Sequence, residues 1–223
     1  IAQSIGDGEA RNIWMGTFHS IFARILRIEC ERINYPRNFT IYDTADSRAL
    51  IKDIIKGLGL DDKVYKPASV QGRISNAKNN LIDAAGYADH PEIMSEDAQA
   101  GRPRIAEIYK AYENRCFRAQ AMDFDDLLFK MNVLLRDFPD LLLKYQHTFQ
   151  FILVDEYQDT NFAQYLIIKQ LAAMRENLCV VGDDAQSIYG FRGANIQNIF
   201  NFKKDYPDFN LFKLEQNYRS TRF

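Results

Sequence analysis

The sequence predicts an α/β protein in which a parallel sheet is interrupted by an all-helical insertion. Three observations carry that prediction. Two apolar runs of strand length, Phe151–Val154 and Leu178–Val181, each end abruptly in polar residues, as buried strands of a parallel sheet do. Helical periodicity fills the chain between and after them. From Tyr35 to about Arg115 helical patterns follow one another with no strand pattern among them. The expected organisation is therefore residues 1–34 and 116–223 as two parts of one α/β unit, with 35–115 as the insertion.

Composition narrows the function. The chain has 223 residues, 47% of them hydrophobic, enough for a sizeable core and against wholesale disorder. A net charge of −2 gives no global basic field, so binding to nucleic acid has to use local patches. Cys30, Cys116 and Cys179 are scattered, without metal-ligand spacing, and fit a reducing cytoplasm better than a disulfide framework or a zinc site. No apolar run approaches the ~20 residues of a membrane span, and no signal-peptide pattern opens the chain. Ile1 stands where an initiator methionine would, so the chain reads as an excised piece of a longer one.

Taken in order, residues 1–12 are polar, and Ile13-Trp14-Met15 has the look of a short strand. It leads into Gly16-Thr17-Phe18-His19-Ser20, after which Ile21, Phe22, Ile25, Leu26 and Ile28 recur at helical spacing. Thr17 or Ser20 caps that helix, and its N-terminus favours a phosphate. Taken alone, the two hydroxyls are equally plain caps and His19 a structural histidine. Asp43-Thr44 opens a helix carrying Leu50, Ile54 and Ile55, stopped by Gly57 and Gly59. Pro67 opens another, through Ile74 and Ala77 to Leu81. Between Lys63 and Asn80 every charge is basic (Lys63, Lys66, Arg73, Lys78), which gives either a phosphate-contacting face or a solvated one. Gly86–Gly101 reads as a looser stretch before a helix containing Ile105, Ile108, Tyr109 and Tyr112.

The segment Ala121–Leu128 starts an amphipathic helix whose acids, Asp123, Asp125 and Asp126, suit the helix dipole. Pro139 opens a short helix ending near His147. The run Phe151–Val154 then delivers Asp155 and Glu156 to a strand's carboxyl end, where ligands bind in open α/β sheets. Adjacent acids there suit nucleotide chemistry: one holds Mg²⁺ and its neighbour polarises the attacking water. Thr160 is expected to cap the next helix. The second strand run is followed by Gly182–Ala194, whose Gln186, Tyr189, Phe191 and Arg192 could touch phosphate and stack a base together. Asn195 caps a further helix, Phe209–Leu214 alternates as a strand, and Arg219 just past it is a candidate γ-phosphate clamp.

The ordered set TFHS, DFDDLL, ILVDEYQDTN, VVGDDAQSIYGFRGA and LEQNYRST resembles the UvrD/Rep/PcrA-type superfamily 1 DNA helicases, over essentially the whole chain. The resemblance implies an ATP-dependent motor moving 3′→5′ on single-stranded DNA and unwinding duplex, in DNA repair or replication. The fold implied is part of a RecA-like P-loop NTPase domain with a helical subdomain inserted. By the same resemblance Asp155 binds Mg²⁺ and Glu156 orients the hydrolytic water. Gln186 senses the γ-phosphate, and Arg219 stabilises charge on the transferred phosphoryl group. Tyr189 and Phe191 lie on the DNA track, Thr17 and His19 contact the DNA backbone, and the insertion touches DNA; the basic run between Lys63 and Asn80 then offers Arg73 and Lys78 as its candidate contacts. The chain departs from the family in lacking G-x-x-x-x-G-K-[ST], so the ATP cradle and the second motor domain are expected elsewhere in the polypeptide, and this piece alone is expected to be inactive. Two other readings stay open: a non-catalytic DNA-binding or partner-docking module with a helicase-like fold, and part of a helicase–nuclease.

Overall fold

The computed structural model describes residues 13–183 and 197–214. Two apolar cores, joined by a buried polar cluster, organise it. Around the first lie α1 (Phe18–Ile28), α7 (Phe124–Asp137), α8 (Pro139–Thr148) and α9 (Phe162–Ala172). Helix α7 shows why this core forms. Leu127, Leu128, Met131, Leu134 and Leu135 recur at one-face spacing and are all essentially solvent-free. Each such side chain contributes about 1.5–3 kcal/mol on burial.

The second core belongs to the helices between the α/β segments: α2 (Thr44–Gly57), α3 (Pro67–Asn79), α4 (Ala84–Ala88), α5 (Pro91–Gln99) and α6 (Ile105–Arg118). It is built on Ile51, Ile55, Val70, Ile74, Ile108 and Tyr109. The stretch expected to be loose, 86–101, is instead helical in α4 and α5. Asp83 caps α4 and Pro91 opens α5, while Tyr87, buried, donates its hydroxyl to Asp97 at 2.5 Å.

The sheets are parallel but small. Strand β1 (Thr40–Tyr42) pairs with β2 (Ala121–Asp123), and β3 (Ile152–Val154) with β4 (Leu178–Val180). β1 corrects the expectation of a strand-free 35–115, and β2 occupies residues assigned to a helix start. Three residues are too few to show alternation, which is why periodicity missed both. Each of these strands runs into an aspartate cap: Asp43 opens α2 and Asp123 opens α7, both with reciprocal capping boxes to Asp46 and Asp126. Ile13–Met15 forms no strand; Trp14 packs edge-on against Phe149 and under Arg24. Phe209–Leu214 forms none either, and its Phe212 and Leu214 are exposed. β3 and β4 are less buried than expected, since Leu153 is 78% exposed on the face turned away from α9.

The two cores meet at Lys78, which corrects its assignment to a DNA-contacting surface. The residue is 1% exposed, with its ammonium 2.8 Å from both Asp123 and Asp126. The Tyr112 hydroxyl donates to the same Asp123 oxygen at 2.8 Å. Despite burial, the paired acids hold the Lys78 pKa well above its ordinary value. Burial and the neighbouring Asp123 raise Asp126 to about 6, while Lys78 holds Asp123 below its ordinary value despite its burial. Arg73 is corrected likewise. Its guanidinium donates to the Tyr87 hydroxyl and Asp97 at 3.0 Å and to Glu96 at 2.7 Å, fastening α3 to α4 and α5. Lys63 and Lys66, earlier in the basic run, are exposed.

Breaking a buried ion pair leaves a charge with no compensation. Lys78→Met is therefore expected to cost about 3–5 kcal/mol in urea unfolding, and Asp126→Asn distinctly less, because the Lys78–Asp123 pair survives. Equal losses would show that Asp126 carries the compensation.

Candidate functional site at the ends of β3 and β4

The chain after β3 is shaped by what its neighbours pull inward. Val154, 6% exposed, and Tyr157, 2% exposed, pack with Tyr165 and Ile168 of α9. Between them Asp155 and Glu156 are exposed. Parallel pairing continues past β3 itself: Val181 donates its N–H to the Val154 carbonyl at 2.8 Å, and Tyr157 donates to Val181 at 2.9 Å. To keep both bonds with two residues intervening, the backbone turns through Glu156 in the left-handed region, at φ 50° and ψ 43°. A non-glycine residue there costs of order 1–3 kcal/mol, and the buried Tyr157 together with the flanking pairs holds it.

The turn is closed by the Thr160 hydroxyl, which donates to the Tyr157 carbonyl at 2.7 Å. That bond occupies the side chain expected to cap α9. The cap is Asn161, in a reciprocal box with Gln164 at 2.9 Å in both directions. The NFAQ spacing carried this signal in the sequence. Asn161 also donates its amide to Asn79 of α3 at 2.6 Å, and Asn79 donates to Asp125 at 3.0 Å. From the other side Asn198, in α10 (Gln197–Asp205), donates to the Thr160 carbonyl at 2.9 Å. A line of amides thus links the strand tip to the helical unit. No periodicity could show it, because its members are distant in sequence.

The acids open onto a cleft of about 450 Å³ between the N-terminus of α1 and β3, bordered by Trp14, Thr17, His19, Phe151, Asp155 and Glu156. Thr17 is the N-cap, its hydroxyl accepting the Ser20 N–H at 3.3 Å, so the plain capping reading holds locally. His19 sits edge-on to Phe124, and burial lowers its pKa, leaving a neutral imidazole at pH 7. The oxygen donors of the site suit a hard cation such as Mg²⁺. Asp155 is exposed at its mouth, and Asp159, also on the cleft, has a buried carboxylate oxygen with no hydrogen-bond partner. Gln158, which sequence reasoning passed over, is 1% exposed and bonds both strand ends. Gln186, Tyr189, Phe191 and Arg219 lie outside the described residues.

Comparison with known proteins agrees with the resemblance in the sequence. The family profile described as the UvrD/REP helicase N-terminal domain matches residues 1–207. A protein of Leuconostoc citreum named ATP-dependent DNA helicase PcrA is 47% identical over 222 residues, covering 100% of this chain and 29% of its own length. The protein of the same name from Staphylococcus aureus strain Mu50 is 47% identical over 222 residues, covering 100% of this chain and 30% of its own. That of Staphylococcus epidermidis is 48% identical over 215 residues, covering 96% and 28%. The chain thus spans about three-tenths of the length of these relatives. Among the described residues no helix is long and apolar enough to cross a membrane.

Asn161→Ala removes both the α9 cap and the link to Asn79. The expected loss is about 1–2 kcal/mol of stability in urea unfolding, against less than about 0.5 kcal/mol for a substitution at an ordinary exposed position.

Proposed function

The chain belongs to the family of the UvrD/REP helicase N-terminal domain, and from that premise we propose that it forms part of the first motor domain of an ATP-dependent DNA helicase. Residues 1–34 and 116–223 then contribute to a RecA-like unit, and 35–115 form its inserted subdomain. The full-length polypeptide moves 3′→5′ along single-stranded DNA, unwinds duplex at single/double-strand junctions, and works in the cytoplasm in DNA repair or replication. One observation carries the reading. Two exposed carboxylates, Asp155 and Glu156, stand at the end of a parallel strand beside the end of its neighbour, where ligands bind in open α/β sheets.

Each residue has a role in this account. Asp155 holds Mg²⁺, which when bound neutralises charge on the phosphates. Glu156, one residue on and turned outward by its left-handed backbone, orients the attacking water and accepts its proton. Gln186 reports the γ-phosphate, and Arg219 stabilises the charge spread over the transferred group. Tyr189 and Phe191 stack on bases of the single strand, and Thr17 and His19 face its backbone. G-x-x-x-x-G-K-[ST] is not among the 223 residues, so turnover belongs to the full-length polypeptide and this chain alone hydrolyses ATP negligibly.

In the full-length polypeptide, Glu156→Gln is expected to lower DNA-stimulated ATP turnover by at least about 100-fold, with nucleotide and DNA affinities within a few-fold of the parent. Turnover within several-fold of the parent would remove Glu156 from the base role. Phe191→Ala is expected to weaken single-strand binding by roughly 5- to 150-fold, measured by fluorescence anisotropy, and to change basal hydrolysis far less. Unchanged DNA affinity would refute stacking there.

A further inference from the structure

Gln158 follows Glu156 by two positions, yet its side chain turns inward under the strand ends, where it is 1% exposed. Its amide nitrogen donates to a Glu156 carboxylate oxygen at 2.7 Å, and its amide oxygen accepts the Asp183 N–H at 3.1 Å. Only this amide orientation satisfies both neighbours, because a carboxylate can only accept and a backbone N–H can only donate. The chain beyond β4 passes in direct contact: a Cβ on Gly182 would stand 2.8 Å from the Gln158 amide oxygen.

A buried glutamine needs partners whatever its role, and backbone groups would serve. Here one of the two partners is an exposed carboxylate on the cleft. Among the described residues, Gln158 is the only side chain hydrogen-bonded to that carboxylate. The other partner is the backbone at the root of the segment running on to Gln186. One rigid amide therefore fixes the position of the Glu156 carboxylate relative to the end of β4.

We propose that Gln158 is a positioning residue for hydrolysis, holding the Glu156 carboxylate in register with the end of β4. The inference rests on the reading of Glu156 as the group that orients water. A carboxylate on an exposed tip, freed from its amide, samples several rotamers, and a misplacement of about 1 Å costs roughly 100-fold in rate.

The test uses the full-length polypeptide with ATP, Mg²⁺ and single-stranded DNA. Gln158→Met keeps the volume and removes both bonds. Gln158→Glu keeps an acceptor for the Asp183 N–H but sets a carboxylate against Glu156. Both are expected to lower kcat by about 100-fold while KM for ATP stays within about threefold of the parent. Hydrogen exchange at the Asp183 amide is expected to accelerate in Gln158→Met and not in Gln158→Glu, which separates the two bonds. The inference is overturned if Gln158→Glu turns over at the parent rate while Glu156→Gln is inactive. It is also overturned if both Gln158 variants lose nucleotide affinity in step with turnover, which marks a packing residue. Should Glu156→Gln itself turn over normally, the base reading fails and takes this inference with it.

Discussion

The parallel pairing of β3 with β4 is the constraint on which the site depends. Three-residue strands are too short to be stable alone, and these two hold register because pairing continues beyond them, through Val181 to Val154 and Tyr157 to Val181. That continuation, with Tyr157 anchored in the apolar cluster, forces the two intervening acids outward. The unfavourable conformation at Glu156 is therefore a consequence of satisfying backbone hydrogen bonds on either side of it. The same pairing brings the start of the segment after β4 against Gln158. Main-chain geometry thus sets where acid, amide and neighbouring backbone stand, and the Gln158–Glu156 side-chain bond ties the carboxylate to that frame.

A second constraint joins this region to the helical unit. The Lys78–Asp123–Asp126–Tyr112 cluster lies where the two apolar cores meet, and the Asn198–Thr160, Asn161–Asn79 and Asn79–Asp125 bonds run alongside it. Buried polar groups tolerate little displacement, since each lost partner leaves a desolvated donor or acceptor. These clusters accordingly fix the angle between α3 and α7 more sharply than apolar packing alone. Helix α3, read from sequence as a basic phosphate-contacting or solvated face, buries Val70, Ile74, Ala77 and Lys78 and spends its Lys78 and Arg73 charges on partners within the fold.

What the sequence made legible was whatever has a period or a local motif. The α7 stripe, the cap at Asp43, and the acids ending Phe151–Val154 all stood out, whereas Asp123 reads from sequence as a first-turn acid and is the N-cap; the helical character of 35–115 holds except at β1. β1 and β2 escaped because three residues complete no alternation and neither is a continuous apolar run as β3 and β4 are, and α4 and α5 because Gly86 and Gly101 read as breakers when only Gly101 ends a helix. Lys78 and Arg73 were misread for one reason: charge spacing says nothing of what lies opposite, and here Asp123, Asp126, Asp97 and Glu96 do. Gln158 and the amide line were invisible because their partners come from across strands or from helices far along the chain.

The account is tested most directly by a crystal structure of the full-length polypeptide with Mg²⁺, a non-hydrolysable ATP analogue and single-stranded DNA. It predicts Asp155 at the metal, Glu156 within hydrogen-bond reach of a water in line with the γ-phosphate, and Gln186 and Arg219 on that phosphate. A nucleotide bound away from the ends of β3 and β4, with Glu156 facing bulk solvent, would contradict it.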